Sequence, residues 1–304
     1  MATPEPPPHA SWPLWPAYPL LWLLARLPQS LLLVTGTVLA EITWPFAGRR
    51  RRIAARNIAL CFPTLSADQQ KRLLRENFRA TMTGLLEMIR AWFAPSWRLR
   101  GLFDVDGLEH VEAARAEGRG VLLLSAHFTA VELACRLLNE AIDPPARMLV
   151  RRHGWMPLEA LVDAGRRAHA ASTLEKKDIS GLLRELKAGN AVLYGGDQDF
   201  SSQNVFVPFF GIPASTLATT PRIAARANAV TLSFWCRRQT DGRYRLTIGP
   251  PWPGYPSGDA ETDAARYMAE LEAAVREAPA QYLWVHRRFK TRPEDEPSLY
   301  ERND

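Results

Sequence analysis

The sequence predicts an α/β protein with a mixed sheet flanked by helices, preceded by an N-terminal membrane-anchoring helix. Three observations carry this expectation. From Gly101 onward, short unbroken apolar runs such as "GVLLLSA" and "AVLYGGD" alternate with amphipathic helical segments, the pattern of strands covered on both faces. Further on, "VTLSFWCRR" and "GRYRLTIG" alternate with period two around "QTDG", whose Asp241 and Gly242 fit a hairpin turn, so the sheet gains an antiparallel section. Ahead of both lies an apolar stretch of about thirty residues, long enough to span a bilayer or to lie deep in its interface.

Taken in order, residues 1–16 form a Pro-rich leader expected to be poorly ordered, and residues 17–47 form the anchor. Within "YPLLWLLARLPQSLLLVTGTVLAEITWPFAG" only Arg26 and Glu41 interrupt the apolar run, and Trp12, Trp15, Tyr18, Trp22 and Trp44 stand where interfacial aromatics belong. A buried hairpin of helices is the alternative. No basic region precedes the stretch, which argues against a cleaved secretory signal. Residues 48–100 are a basic juxtamembrane and helical region. It opens with Arg49 to Arg52 and Arg56, a placement that puts everything after residue 48 on the cytoplasmic side by the positive-inside tendency.

Ser66 and Gln69 have capping-box spacing, and Leu73, Leu74, Phe78, Met82, Leu85, Leu86 and Ile89 repeat at helical intervals after them. Residues 101–304 are the α/β domain. "HVEAARAEG" and "DISGLLRELKAGN" read as helices before strands, the second stopped at Gly189 and Asn190. "ETDAARYMAELEAAVREAP" closes the domain as a helix, with Ala264, Met268, Leu271 and Val275 on one face and Pro279 at its end.

The chain has 304 residues and 47% apolar content, enough for a sizeable core, and its net charge of +6 fits an anionic partner. Cys61, Cys135 and Cys236 lie far apart in no ligand spacing, so they read as buried small hydrophobes. No P-loop, G-x-G-x-x-G or H-E-x-x-H occurs, and neither cofactor nor metal is expected. An RNP-like pattern is absent too, which leaves nucleic acid without support.

The candidate chemistry centres on "VLLLSAHFTAVELAC". A strand ending near Ser125 delivers His127 to the loop beyond its carboxyl end, where open α/β sheets build their sites, and Glu132 falls in the next helix. Along a continuous helix these two side chains would diverge, so they meet only if His127 lies at or before the helix start. Were they to meet, the carboxylate would fix the imidazole tautomer and the other ring nitrogen would take a proton from a hydroxyl. No G-x-S-x-G provides a nucleophile, so direct transfer to a bound hydroxyl is the reaction these residues favour. Basic clusters in "RMLVRRHGW", in "GRRAH" and especially in "VHRRFKTRP", where Arg287, Arg288, Lys290 and Arg292 follow an aromatic run, suit an anionic lipid head group.

With these residues in hand, the sequence resembles the lipid A biosynthesis acyltransferases, the late acyltransferases of Gram-negative bacteria, and within them the lauroyl-transferring branch. "RRRRIAARNIALCFPTLS", "AHFTAVELA", "GGDQDF", "VFVPFFGIPASTLATTPRIA" and "APAQYLWVHRRFKTRP" carry the resemblance, and His127 with Glu132 matches the H-x4-(D/E) signature of the wider glycerolipid acyltransferases. The resemblance implies a glycerolipid-acyltransferase-like sheet and transfer of a fatty acyl chain from acyl carrier protein to a hydroxyl of a Kdo-bearing lipid A precursor, at the inner membrane and against its phospholipid. It implies His127 as general base and Glu132 as its orienting partner. Gly196, Asp197, Gln198 and Asp199 would line the site, and Arg152, or its neighbour Arg151, would be the arginine of the second block. "HGWM", His153 to Met156, departs from the Asn or Asp usual there. Acylation of another glycolipid or amino lipid, and anionic-lipid binding without chemistry, are the alternative readings.

Overall fold

The structure, a computed structural model, describes residues 14, 16–150, 154–167 and 173–300. Most of the expected leader therefore lies outside the described residues. The expected anchor over 17–47 is not one helix but two, α1 (Tyr18–Ala25) and α2 (Gln29–Thr43). Pro28 stands at the break with φ −53° and ψ 149°. A proline has no N–H to continue the first helix, and it drives its predecessor out of the helical region. Among the described residues no helix is long and apolar enough to cross a membrane. The single expected helix is thus replaced by two shorter ones, and among those residues only Gln29–Phe46 taken together with Gly48–Cys61, bent by 102° at the break, has the length and apolar composition of a span.

The chain continues into α3 (Gly48–Cys61), and α1, α2 and α3 all pack on the long α4 (Ala67–Phe93). Ser66 and Gln69 form the expected capping box at the start of α4. Leu32, Gly36 and Ala40 are the buried residues of α2. A Cβ added at Gly36 would lie 2.4 Å from the Thr83 hydroxyl oxygen, so the two helices touch at a point that only glycine allows. Glu41 of α2 ties the pair together through Arg75 and Arg79 of α4.

The remaining chain builds the sheet. Its elements are β1 (Phe103–Asp106), α5 (Leu108–Ala116), β2 (Val121–Ser125), α6 (Val131–Ala141), β3 (Arg147–Val150), α7 (Met156–Arg167), β4 (Thr173–Glu175), α8 (Ile179–Lys187) and β5 (Ala191–Gly195). They continue with β6 (Asn204–Phe209), β7 (Ile212–Leu217), α9 (Thr220–Ala227), β8 (Val230–Arg238), β9 (Tyr244–Ile248) and α10 (Ala260–Glu277). Seven strands lie in the order β1-β9-β8-β2-β5-β3-β4, and β6 pairs with β7 in a separate hairpin. Every neighbour pair in the main sheet is parallel except β8–β9, the hairpin that "QTDG" predicts.

β2 is buried along its whole length, which is why its residues form an unbroken apolar run. Its side chains serve two cores in alternation. Leu122 and Leu124 pack with residues of α3, α8, α9 and α10, whereas Val121 and Leu123 pack with the end of α4 and with α5, α6 and α7. Beyond α10 the chain crosses back over the carboxyl end of β2. Asn57 of α3 donates to the carbonyls of Trp284 and His286 at 2.7 and 2.8 Å, and Asn77 of α4 donates to those of Ala280 and Tyr282 at 2.9 and 2.7 Å. These amides hold an irregular segment that has no ladder of its own, adding to the Trp284 and Arg288 N–H groups that donate to the Tyr282 and His286 carbonyls at 2.9 Å.

Candidate active site

β2 and β5 are adjacent parallel strands with Ser125 opposite Gly195. Two residues beyond these partners stand His127 and Asp197. Being in register, the two strands bring the side chains together: His127 Nδ1 is 2.6 Å from Asp197 Oδ1, and the His127 backbone N–H donates to Oδ2 at 3.0 Å. Tyr282 O–H donates to the same Oδ2 at 3.1 Å. The loop that carries His127 is itself held by the C-terminal crossing, through Thr129 N–H to the Gln281 carbonyl at 2.8 Å and Leu283 N–H to the His127 carbonyl at 3.0 Å. Beneath it, Tyr267 O–H donates to the Ser125 carbonyl at 2.5 Å and accepts from Gly196 N–H at 3.2 Å.

The electrostatics follow from this packing. Asp197 is 2% exposed, and its burial opposes ionisation, but the hydrogen bonds and charge of His127, with the charge of buried Arg288, hold its carboxyl below the usual carboxylate range. Burial pulls the His127 imidazole down, and Asp197 outweighs that pull, so its pKa lies above the ordinary histidine value. With the carboxylate accepting at Nδ1, the proton of the neutral ring sits there and Nε2 is the basic nitrogen. A Cβ at Gly195 would come within 3.2 Å of His127 Cε1, so the absence of a side chain there lets the ring lie against β5.

His127 opens onto a cavity of about 530 Å³. Val131, Met148, Leu149, Val150, Leu193 and Tyr194 give it apolar walls, while Glu132, Arg166, Lys176 and Gln198 supply polar groups. That combination, an apolar recess with a few convergent polar groups and a shifted histidine, is what a site for an amphipathic substrate requires.

The sequence expectations divide here. His127 precedes α6 and Glu132 lies in its first turn, so both line one cavity, as the spacing argument required. Glu132 does not hold the imidazole, however. Its carboxylate is engaged by the Arg166 guanidinium, with Nε 3.2 Å from Oε2, and by Trp92 Nε1 at 3.1 Å. The carboxylate that meets the imidazole is Asp197 and not, as expected, Glu132, because strand register rather than helix phase decides what faces Nδ1.

Gln198 lines the cavity, whereas Gly196 is buried behind it. Asp199 faces away, accepting from Thr291 N–H at 2.9 Å and Thr291 Oγ1–H at 2.8 Å, and its own N–H donates to His286 Nε2 at 3.1 Å. The terminal arginines, expected at the substrate, are occupied elsewhere. Arg288 is 1% exposed and donates to the Ser215 carbonyl at 2.7 Å and to Thr216 Oγ1 at 2.9 Å. Arg292 donates to the Pro213 carbonyl at 2.7 Å and pairs with Glu296. Arg287 lies over the Tyr300 ring at 5.9 Å, and Lys290 is exposed. None of these four lines the cavity. Arg151 and Arg152 lie outside the described residues; among the described residues the arginine that lines the cavity is Arg166 at the end of α7, which belongs to the basic cluster "GRRAH" but was not singled out as a site residue from the sequence.

Fold and site together define a class: an α/β protein with a histidine–carboxylate pair beyond the carboxyl ends of two central parallel strands, above a recess suited to an aliphatic chain. Comparison with known sequences makes the class particular. The profile of the family described as bacterial lipid A biosynthesis acyltransferase matches residues 9–291. The chain is 36% identical to the lipid A biosynthesis lauroyltransferase of Escherichia coli (strain K12) over 95% of each chain. It is equally 36% identical to the palmitoleoyltransferase of the same organism, over 95% of this chain and 94% of that one. A lipid A biosynthesis acyltransferase of Haemophilus influenzae is 30% identical over 94% of this chain and 95% of the relative. The chain belongs to the bacterial lipid A biosynthesis acyltransferase family, and it is an acyltransferase.

Proposed function

We propose that the protein transfers a fatty acyl chain from an acyl thioester, borne by acyl carrier protein, to a hydroxyl of a Kdo-bearing lipid A precursor. His127 Nε2 takes the proton of the acceptor hydroxyl as its oxygen adds to the thioester carbonyl. Collapse of the tetrahedral intermediate breaks the carbon–sulfur bond, and the imidazolium returns the proton to the departing thiolate. Asp197 fixes the tautomer and stabilises the imidazolium. Glu132 and Arg166 act as a pair on the cavity wall, where the guanidinium offers charge to an anionic acceptor. The observation that carries this reading is the His127–Asp197 contact at the mouth of an apolar recess, in a chain that matches this family along its length.

The test is His127→Ala, assayed for acyl transfer to the lipid A precursor with products read by mass spectrometry. Removing a general base is expected to lower the rate by roughly a hundred- to ten-thousandfold. A variant that transfers at the native rate would remove the mechanism.

The site works at a membrane in this reading, the inner membrane, with the catalytic side toward the cytoplasm. Support comes from the outward side of α2, where Leu31, Val34, Val38 and Ile42 are 47 to 60% exposed at helical spacing, with Leu20, Trp22, Leu23 and Phe46 exposed beside them. An apolar surface of that kind, followed by exposed Arg49, Arg50 and Arg52, fits helices lying in the interface against anionic lipid. Flotation with anionic vesicles checks it: replacing Leu31, Val34, Val38 and Ile42 together by serine is expected to leave the protein unbound, and undiminished flotation would exclude the seat.

A further inference from the structure

The polypeptide between the cavity and α8 leads to a second charged surface that the reaction does not use. Lys176 lines the cavity, Lys177 follows it, and α8 begins at Ile179. α8 packs beside α9, and both bury their apolar sides, through Leu182, Leu186, Ile223, Ala224 and Ala227. Their outward sides carry Arg184, Lys187, Arg222 and Arg226, all exposed. No ion pair engages these side chains or Lys177 among the described residues. Nearby acids do little to offset them: Glu185 is paired with Arg147, and Asp178 caps α8 through the Gly181 N–H. α9 itself carries no acid.

Chain direction places this surface relative to the site. β4 and β5 run parallel to β2, so α8 starts at the carboxyl edge of the sheet, where His127 stands, and runs back along it. α9 leads into β8, which is also parallel to β2, and so runs the same way. Cations thus extend from the mouth of the cavity down the outer face of two helices. The only large hydrophobic residue strongly exposed on these two helices is Ile179, at 41%, next to the mouth.

We infer that the outward face of α8 and α9 is the docking surface for an acidic protein that delivers the acyl thioester, with Ile179 as its apolar contact. This rests on the proposed reaction and adds where the donor binds. A bilayer is the poorer occupant, because a helix lying in the interface presents a broad apolar band, and here that band is on α2 instead. Like-signed, unpaired charge around one apolar residue is the arrangement that steers and orients a soluble partner of opposite charge.

The test is a charge reversal, Arg184→Glu, Lys187→Glu, Arg222→Glu and Arg226→Glu together, with the corresponding glutamine set as a milder second variant. Binding of an acidic acyl carrier protein loaded with a fatty acyl thioester is followed by fluorescence anisotropy in the full-length protein at low and at moderate salt. Reversal is expected to weaken binding at least about tenfold, the glutamine set less so, and to abolish the salt dependence seen in the native protein. Transfer from a small uncharged thioester, which needs no docking, is expected to stay at the native rate in both variants. Equal carrier affinity in native and reversed proteins would overturn the inference, as would a native protein that fails to bind the carrier. Loss of vesicle flotation in the reversed protein with carrier binding intact would also overturn it, since the face would then be a membrane seat. Should the native protein and His127→Ala both bind the carrier through this face while the native protein transfers nothing, the proposed reaction fails and the docking surface stands.

Discussion

Asp197→Asn separates the two carboxylates that have a claim on His127, the proposed base. The native side chain accepts on both oxygens: Oδ1 from His127 Nδ1 at 2.6 Å, Oδ2 from the His127 N–H at 3.0 Å and from Tyr282 O–H at 3.1 Å. Asparagine has one oxygen for donors on two sides. With that oxygen toward Nδ1, the amide nitrogen opposes the buried backbone N–H of His127, leaving a polar group unsatisfied at a cost of about 1–3 kcal/mol. Turned over, the amide donates to Nδ1, the ring proton moves to Nε2, and the base is lost. The second orientation avoids the clash of donors, so kcat is expected to fall by roughly a hundredfold or more.

The pH profile supplies the sharper readout. A base at His127, as proposed, acts when neutral, so activity is expected to rise with pH through the His127 pKa. Asp197 holds that pKa above the ordinary value of about 6.5. Without its charge, burial is left as the main influence, and the acid limb of the residual activity is expected to move downward. The assay is the initial rate of acyl transfer in detergent, by mass spectrometry, from about pH 5 to about pH 9. In Glu132→Gln the limb is expected to stay in place although the rate falls, because the Glu132 carboxylate faces Arg166 and Trp92. A native-like rate and an unmoved limb in Asp197→Asn, with a shifted limb in Glu132→Gln, would refute the reasoning and return the orienting role to Glu132.

Two further outcomes follow from the packing. Gly195→Ala places a Cβ 3.2 Å from His127 Cε1, so the ring must shift by a few tenths of an ångström; kcat is expected to fall about tenfold with the melting temperature little changed, checked by kinetics beside calorimetry. Asn57→Ala strips the amide donor from the carbonyls of Trp284 and His286, the latter keeping the Arg288 N–H, and an acceptor from Tyr300 O–H, an expected loss of about 3 kcal/mol and roughly 5 °C in melting temperature by circular dichroism.

Much of the architecture was legible because it rests on local chemistry. The capping box at Ser66, the buried strands β2 and β5, the β8–β9 hairpin and α10 follow from periodicity and turn residues that act within a few positions. Pro28 was equally local, and reading the apolar stretch as one helix undervalued it. The terminal arginines misled for a different reason. Arginine is rarely buried, so a cluster of it reads as surface, yet carbonyl groups of the β6–β7 hairpin take up the guanidinium protons of Arg288 and Arg292. The masking of Asp197 was subtler. "VLLLSAH" and "AVLYGGD" each place a polar residue at the same offset beyond a buried strand, and that shared offset is the one signal from which the pair was readable.

The sequence by itself determined β2, β5, the β8–β9 hairpin, α4 and α10, the position of His127 just past a buried strand, and the apolar N-terminal stretch, since each depends on spacing along the chain. Only the tertiary structure decided which carboxylate meets the imidazole. His127 and Asp197 are 70 residues apart, and nothing local brings them within 2.6 Å. The register of β2 against β5 does so, and that register is fixed by two cores, one on each face of the sheet, that the chain completes only when helices from both ends have packed.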